Sequence, residues 1–101
     1  MLDNRIFFPQ VLQVVPADDY KIYIYFNDGS IRCKDVGPLV KSGTVFSPLL
    51  DKEVFFSTIT VMNDTVAWDI SGARDEYNCI DLDVETLYEC PEVTDPLGDR
   101  T

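Results

Sequence analysis

Asp81-x-Asp83-x-Glu85 is the one run of carboxylates in the chain whose spacing fits metal chemistry. On an extended backbone a period of two places all three on one face, which suits a hard cation taking oxygen ligands. The following residue, however, is Thr86 rather than the glycine of an EF-hand-type calcium loop. A helix starting at Val84 would also splay the three apart. An acidic helix start, favourable to the macrodipole, accounts for them better, so no metal site and no cofactor are assigned. The sequence has no histidine, which removes the commonest general base, the serine and cysteine triads and the usual zinc ligands. Cys33, Cys79 and Cys90 form neither a metal spacing nor an even-numbered disulfide framework. Acidic neighbours of Cys79 and Cys90 disfavour the thiolate that a nucleophile needs. A non-enzymatic protein is expected.

The second constellation is aromatic and basic: Tyr23, Tyr25, Arg32 and Lys34. Residues 20–26 and 30–34 alternate in polarity around Asp28-Gly29, which reads as a hairpin with a two-residue loop and positive φ at both central residues. That register sets Phe26 opposite Ile31, Tyr25 opposite Arg32, Ile24 opposite Cys33 and Tyr23 opposite Lys34. Ile22, Ile24, Phe26, Ile31 and Cys33 then form a core face, and Lys21, Tyr23, Tyr25, Arg32 and Lys34 form the other. Aromatics interleaved with cations can stack on nucleic-acid bases. A net charge of −10 sets that reading behind two others, self-stabilising cross-strand cation–π pairs and a protein interface.

The elements that position these residues follow from period and punctuation. Residues 11–15 read as a strand closed by Pro16, giving a three-stranded meander through about Val36. Pro38 with Gly43, and Ser47 with Pro48, mark two short helical turns, with Ser47 as a cap. Residues 51–56 fit either a further helical turn or a strand edge. A second hairpin, 58–62 and 65–69 around Asn63-Asp64, sets Ile59 opposite Trp68 and Val61 opposite Val66. Its other face (Thr58, Thr60, Met62, Thr65, Ala67, Asp69) is mostly polar, while Trp68 belongs in the core. Residues 71–79 read as a loop, and Asp83 caps a short helix with Val84, Leu87 and Tyr88 on one face. The fold class is α+β: an antiparallel sheet built from an N-terminal three-stranded meander and a second hairpin, with short helical turns between and after. Residues 10–90 form a single domain and 91–101 a flexible acidic tail.

The 101 residues suffice for one domain with a modest core. Eighteen acidic residues against eight basic ones disfavour nucleic acid and anionic membrane surfaces and suit a basic protein partner. The N-terminus shows no signal peptide, and no stretch approaches the length of a membrane span, so a cytoplasmic protein with reduced thiols is expected. Exposed sheet edges leave a homodimer open.

The order of motifs carries a resemblance. Phe26-Asn27-Asp28-Gly29-Ser30-Ile31-Arg32, Asp35, Phe46 with Leu49, Phe55, Val66-Ala67-Trp68-Asp69, and the run from Asp81 to Glu89 resemble a small bacterial family catalogued as domain of unknown function 2442. The resemblance covers about residues 10–90, and Val84 stands where that family commonly has proline. It implies an α+β fold, in some members followed by a helix-turn-helix domain, and for stand-alone members a proposed role as the antitoxin of a toxin–antitoxin pair. It implies no catalytic residues.

The expectation is therefore an acidic interaction module that binds a small basic protein, encoded by a neighbouring gene and neutralised by it. Tyr23, Tyr25, Arg32 and Lys34 are the expected contacts, with Asp81, Asp83 and Glu85 supplying charge. A small-ligand-binding regulatory domain is the alternative, and a metal-dependent enzyme on the three carboxylates comes behind it.

Overall fold

Alternating strands and a tight turn build the first layer. The computed structural model describes residues 8–72 and 79–94. In it β1 (Val11–Ala17), β2 (Lys21–Phe26) and β3 (Ile31–Asp35) form an antiparallel sheet in that order. β1 runs on through Pro16, which an edge strand tolerates because a missing outward N–H breaks no ladder. Between β1 and β2, Asp19 and Tyr20 adopt positive φ (64° and 60°), uncommon for a bulky residue such as tyrosine. The surroundings hold it there: the Tyr20 hydroxyl donates to Leu49 O at 2.8 Å, its carbonyl accepts from Val36 N–H, and its ring meets Phe55 edge-on.

The second sheet comprises β4 (Ile59–Met62), β5 (Thr65–Trp68) and β6 (Ile80–Asp81). Ile59 pairs with Trp68 and Val61 with Val66, the register expected from the sequence. Asn63 and Asp64 both have positive φ, 52° and 66°, as a two-residue loop of type I′ requires. The expected polar face is different. Met62, Thr65 and Ala67 are buried; β5 is the middle strand, and β6 pairs along its Ala67 and Trp68. Thr65 is satisfied there by donating its hydroxyl to Leu82 O at 2.7 Å.

Short helical pieces close the core between the sheets. Gly37–Leu39 and Ser47–Leu50 are single 3-10 turns, each with proline near its start. Ser47 makes no cap; Asp51 does, accepting from Glu53 N–H at 3.0 Å and opening α1 (Lys52–Thr58), so residues 52–58 are helical. α2 (Val84–Tyr88) begins as expected at Asp83, whose carboxylate accepts from the Thr86 N–H and hydroxyl. Ile22, Ile24 and Phe26 of β2 meet Val66, Trp68, Phe55 and Leu87 in one core. The Trp68 ring stacks on Phe55 at 5.9 Å, and its Nε1 is buried without a partner among the described residues.

Residues 91–93 do not start a tail. Cys33 N–H donates to Pro91 O, and Val93 N–H to Ile31 O, so this segment lies antiparallel along the free edge of β3 with Glu92 opposite Arg32. The rest of the expected tail, from residue 95, and most of the expected loop (73–78) lie outside the described residues.

Candidate functional site

The aromatic–basic surface depends on how the first hairpin turns. Gly29 N–H donates to Phe26 O at 3.0 Å and Phe26 N–H to Ser30 O at 2.9 Å. Only Gly29 of the Asp28-Gly29 pair has positive φ, 88°. This is a three-residue loop, a type I turn followed by a left-handed glycine in a bulge. The register is therefore one residue away from the expected one: Tyr25 pairs with Ile31, Ile24 with Arg32, Tyr23 with Cys33 and Ile22 with Lys34. A slip of one residue moves a strand's side chains to the opposite face. Tyr23 and Tyr25 share a face with Ile31 and Cys33, and Arg32 and Lys34 share the other with Ile22 and Ile24. Cys33 is accordingly not on the core face.

The cause lies far along the chain. The Asp28 carboxylate accepts from the Ser30 N–H (2.9 Å) and hydroxyl (2.7 Å) through Oδ1, and from the Tyr88 hydroxyl (2.5 Å) through Oδ2. The Arg32 guanidinium lies 4.4 Å from the centre of the Tyr88 ring and donates from Nη1 to Cys90 O at 3.1 Å. Phe26 meets the same ring edge-on at 5.1 Å. In the two-residue register Arg32 would point away from α2. The donated bonds from Tyr88 and Ser30 hold the Asp28 carboxyl down at about 2, and the same bond to Asp28 raises the Tyr88 hydroxyl. Asn27 fixes the turn from the other side, accepting from Gln10 N–H and donating its own N–H to Gln10 O.

The seven residues expected to form one partner surface are thus divided by the sheet. α2 packs on the side of Arg32 and Phe26, so Asp81, Asp83 and Glu85 belong with Arg32 and Lys34 rather than with the two tyrosines. Asp81, Asp83, Glu85, Glu89 and Glu92 are all exposed, and the Asp83 carboxylate is engaged as the α2 cap. Among the described residues no group of three histidines, cysteines or carboxylates is placed to hold a metal ion. The Cys90 thiol is pushed up, chiefly by burial. A groove of about 380 Å³ between residues 57–60 and 69–72 is open to solvent and lined largely by hydroxyls, unlike the enclosed apolar pockets that hold small ligands.

Charge is distributed unevenly along the chain. Residues 1–52 hold six acidic and six basic side chains, so the whole net charge of −10 falls in residues 53–101, with twelve acidic and two basic. Those two, Arg74 and Arg100, lie outside the described residues. The second sheet and α2 therefore present carboxylates alone among their described charged groups. This asymmetry was readable from residue counts; the Asp28–Tyr88 contact, 60 residues apart, left no local signal.

The architecture is that of a small α+β domain with two antiparallel three-stranded sheets and an acidic flank. The chain belongs to the family described as Protein of unknown function (DUF2442), whose family model matches residues 11–90. No curated protein and no solved structure shows a significant match to it. No helix among the described residues is long and apolar enough to cross a membrane.

Proposed function

We propose that this chain is a non-enzymatic bacterial interaction module that acts in the cytoplasm, binds a small basic protein encoded beside it, and neutralises that protein in the manner of an antitoxin. The observation that supports this reading is the placement of the entire net charge in residues 53–101. A one-signed surface attracts an oppositely charged partner at long range, raises the encounter rate and rejects partners of its own sign. The contact surface is drawn on the α2 side, with Asp81, Glu85 and Glu89 as its charge and Arg32 and Lys34 at its border. Asp83 contributes mainly by holding the helix in place.

Co-expression with the adjacent gene product, followed by size exclusion at low and high salt, tests the proposal. The expected result is a complex that weakens as salt rises, with Glu85→Lys plus Glu89→Lys slowing association roughly tenfold. Absence of a complex at every salt concentration would overturn the reading.

A further inference from the structure

Asp28-Gly29 is the one place in the chain where an aspartate or asparagine precedes a glycine. Such a pair is prone to react with itself. The glycine nitrogen, unhindered by a side chain of its own, attacks the aspartate Cγ; water leaves, and a five-membered imide joins the two residues. Water then adds back at one of the two ring carbonyls. Opening at Cγ restores aspartate. Opening at the former main-chain carbonyl gives isoaspartate, whose backbone runs through Cβ and Cγ and whose α-carboxylate hangs free. One water leaves and one returns, so the step needs no oxidant, reductant or cofactor.

Ring closure has three requirements, and the folded tip opposes each. Only a protonated carboxyl loses water readily. The Asp28 carboxylate accepts from the Ser30 N–H at 2.9 Å, the Ser30 hydroxyl at 2.7 Å and the Tyr88 hydroxyl at 2.5 Å, bonds that keep it ionised. The ring also needs Cβ and the Gly29 nitrogen eclipsed about the Asp28 Cα–C bond. The second central residue of a type I turn, with ψ of about 0°, holds them apart. Finally, the nitrogen must turn towards Cγ, and here its N–H is tied to Phe26 O at 3.0 Å. Both residues are exposed, so water is at hand once these restraints lapse.

We propose that Asp28-Gly29 is an isoaspartate-forming site, kept closed by the docking of α2 through Tyr88 and opened when α2 departs. Conversion is one-way for the fold. Isoaspartate adds a carbon to the backbone of a loop whose length sets the register of β2 and β3, and it takes the carboxylate away from Tyr88 and Ser30. A converted chain cannot rebuild the tip, so the modification records time spent with α2 undocked.

Incubation of the full chain at neutral pH tests this, with Asp28 read by peptide mapping after a protease that cuts before aspartate but not before isoaspartate. The native chain should convert at least about tenfold more slowly than the same chain in urea. Holding the carboxyl at about 2 rather than 3.8 lowers its protonated fraction by more than that on its own. Tyr88→Phe keeps the ring and removes the hydroxyl that bonds Asp28, and should speed conversion in the folded state by about threefold or more. Thr65→Ala removes a bond of the other hairpin, weakens the fold without touching the tip, and should leave the rate near that of the unaltered chain. Both variants are first confirmed folded by circular dichroism. A native chain that converts as fast as in urea overturns the proposal. So does Tyr88→Phe at the unaltered rate, because α2 is then not what closes the site. Equal acceleration by Thr65→Ala also overturns it, because the gate is then unfolding of the whole domain.

Discussion

The two hairpins of this protein reverse what their turn residues suggest. Asp28-Gly29, the stronger signal for a type I′ turn, adopts a three-residue loop with a bulge, whereas Asn63-Asp64 adopts the two-residue turn with both residues left-handed. The difference lies in what each hairpin touches. The second has β5 buried on both faces, so core packing fixes its register and its turn must follow, even at the cost of a left-handed aspartate. The first is buried on one face only, and its register is decided at the tip, where α2 and residue 10 grip the turn. A turn motif states which conformations are cheap; distant contacts choose among them.

The largest test of that contrast is Tyr88→Ala, which removes the anchor of the first hairpin and leaves the second intact. We expect a loss of about 2 kcal/mol in urea unfolding, from the Phe26 ring contact, the Arg32 cation–π contact and the Asp28 bond together. Cross-strand proton contacts should weaken for Tyr25 with Ile31 and gain for Tyr25 with Arg32. Unchanged pairing would place the choice of loop in the turn itself. Next come two turn substitutions with opposite signs. Gly29→Ala should destabilise by about 1 kcal/mol purely through its backbone, since a Cβ there meets no atom within 4 Å at a φ of 88°. Asp64→Gly should stabilise by several tenths of a kcal/mol by relieving the left-handed strain in the second hairpin, less the weak Gln10 bond. Equal signs would show that the turns do not differ as described.

The smallest effect is on pH. The Asp28 carboxyl is lowered from 3.8 to about 2 on folding, so its contribution to stability is complete above the unfolded value and is lost as pH falls through about 2. The raised Tyr88 hydroxyl acts in the opposite direction, its contribution complete below the ordinary tyrosine range and lost as pH rises through the folded value. Asp28→Asn should therefore flatten the acid limb of a stability–pH curve between about pH 4 and pH 2. An acid limb identical to that of the unaltered protein would mean that the bonds at the turn are not formed in solution.

What the sequence made legible had a period or a local chemical signature. Alternation marked both sheets, apolar pairing gave the register of β4 and β5, and Asp83 announced the start of α2. The unreadable parts were those decided across long separations. Nothing near Asp28 indicates that Tyr88 will bond to it, so the first register came out one residue off and a single aromatic–basic face was expected where there are two distinct faces. Thr65 and Ala67 looked solvated because β6 is only two residues long and carries no strand signature of its own. Residues 91–93 read as part of a tail because two prolines, Gly98 and three acidic residues within 91–101 resemble disorder, yet an edge strand with free N–H and C=O groups recruits whatever backbone passes it.

Trp68 is the single tryptophan of the chain, and its indole nitrogen lies in the core without an acceptor among the described residues. An excited indole reddens when nearby dipoles or water reorient around it. This one faces Phe55 and aliphatic neighbours that cannot, so its emission should be strongly blue-shifted in the folded state and should move to the red only when the core opens. Its side chain is fully buried and reaches the surface at neither the acidic flank nor the tyrosine face. Its light therefore reports folding separately from binding at either surface, a built-in reference against which a partner can be titrated.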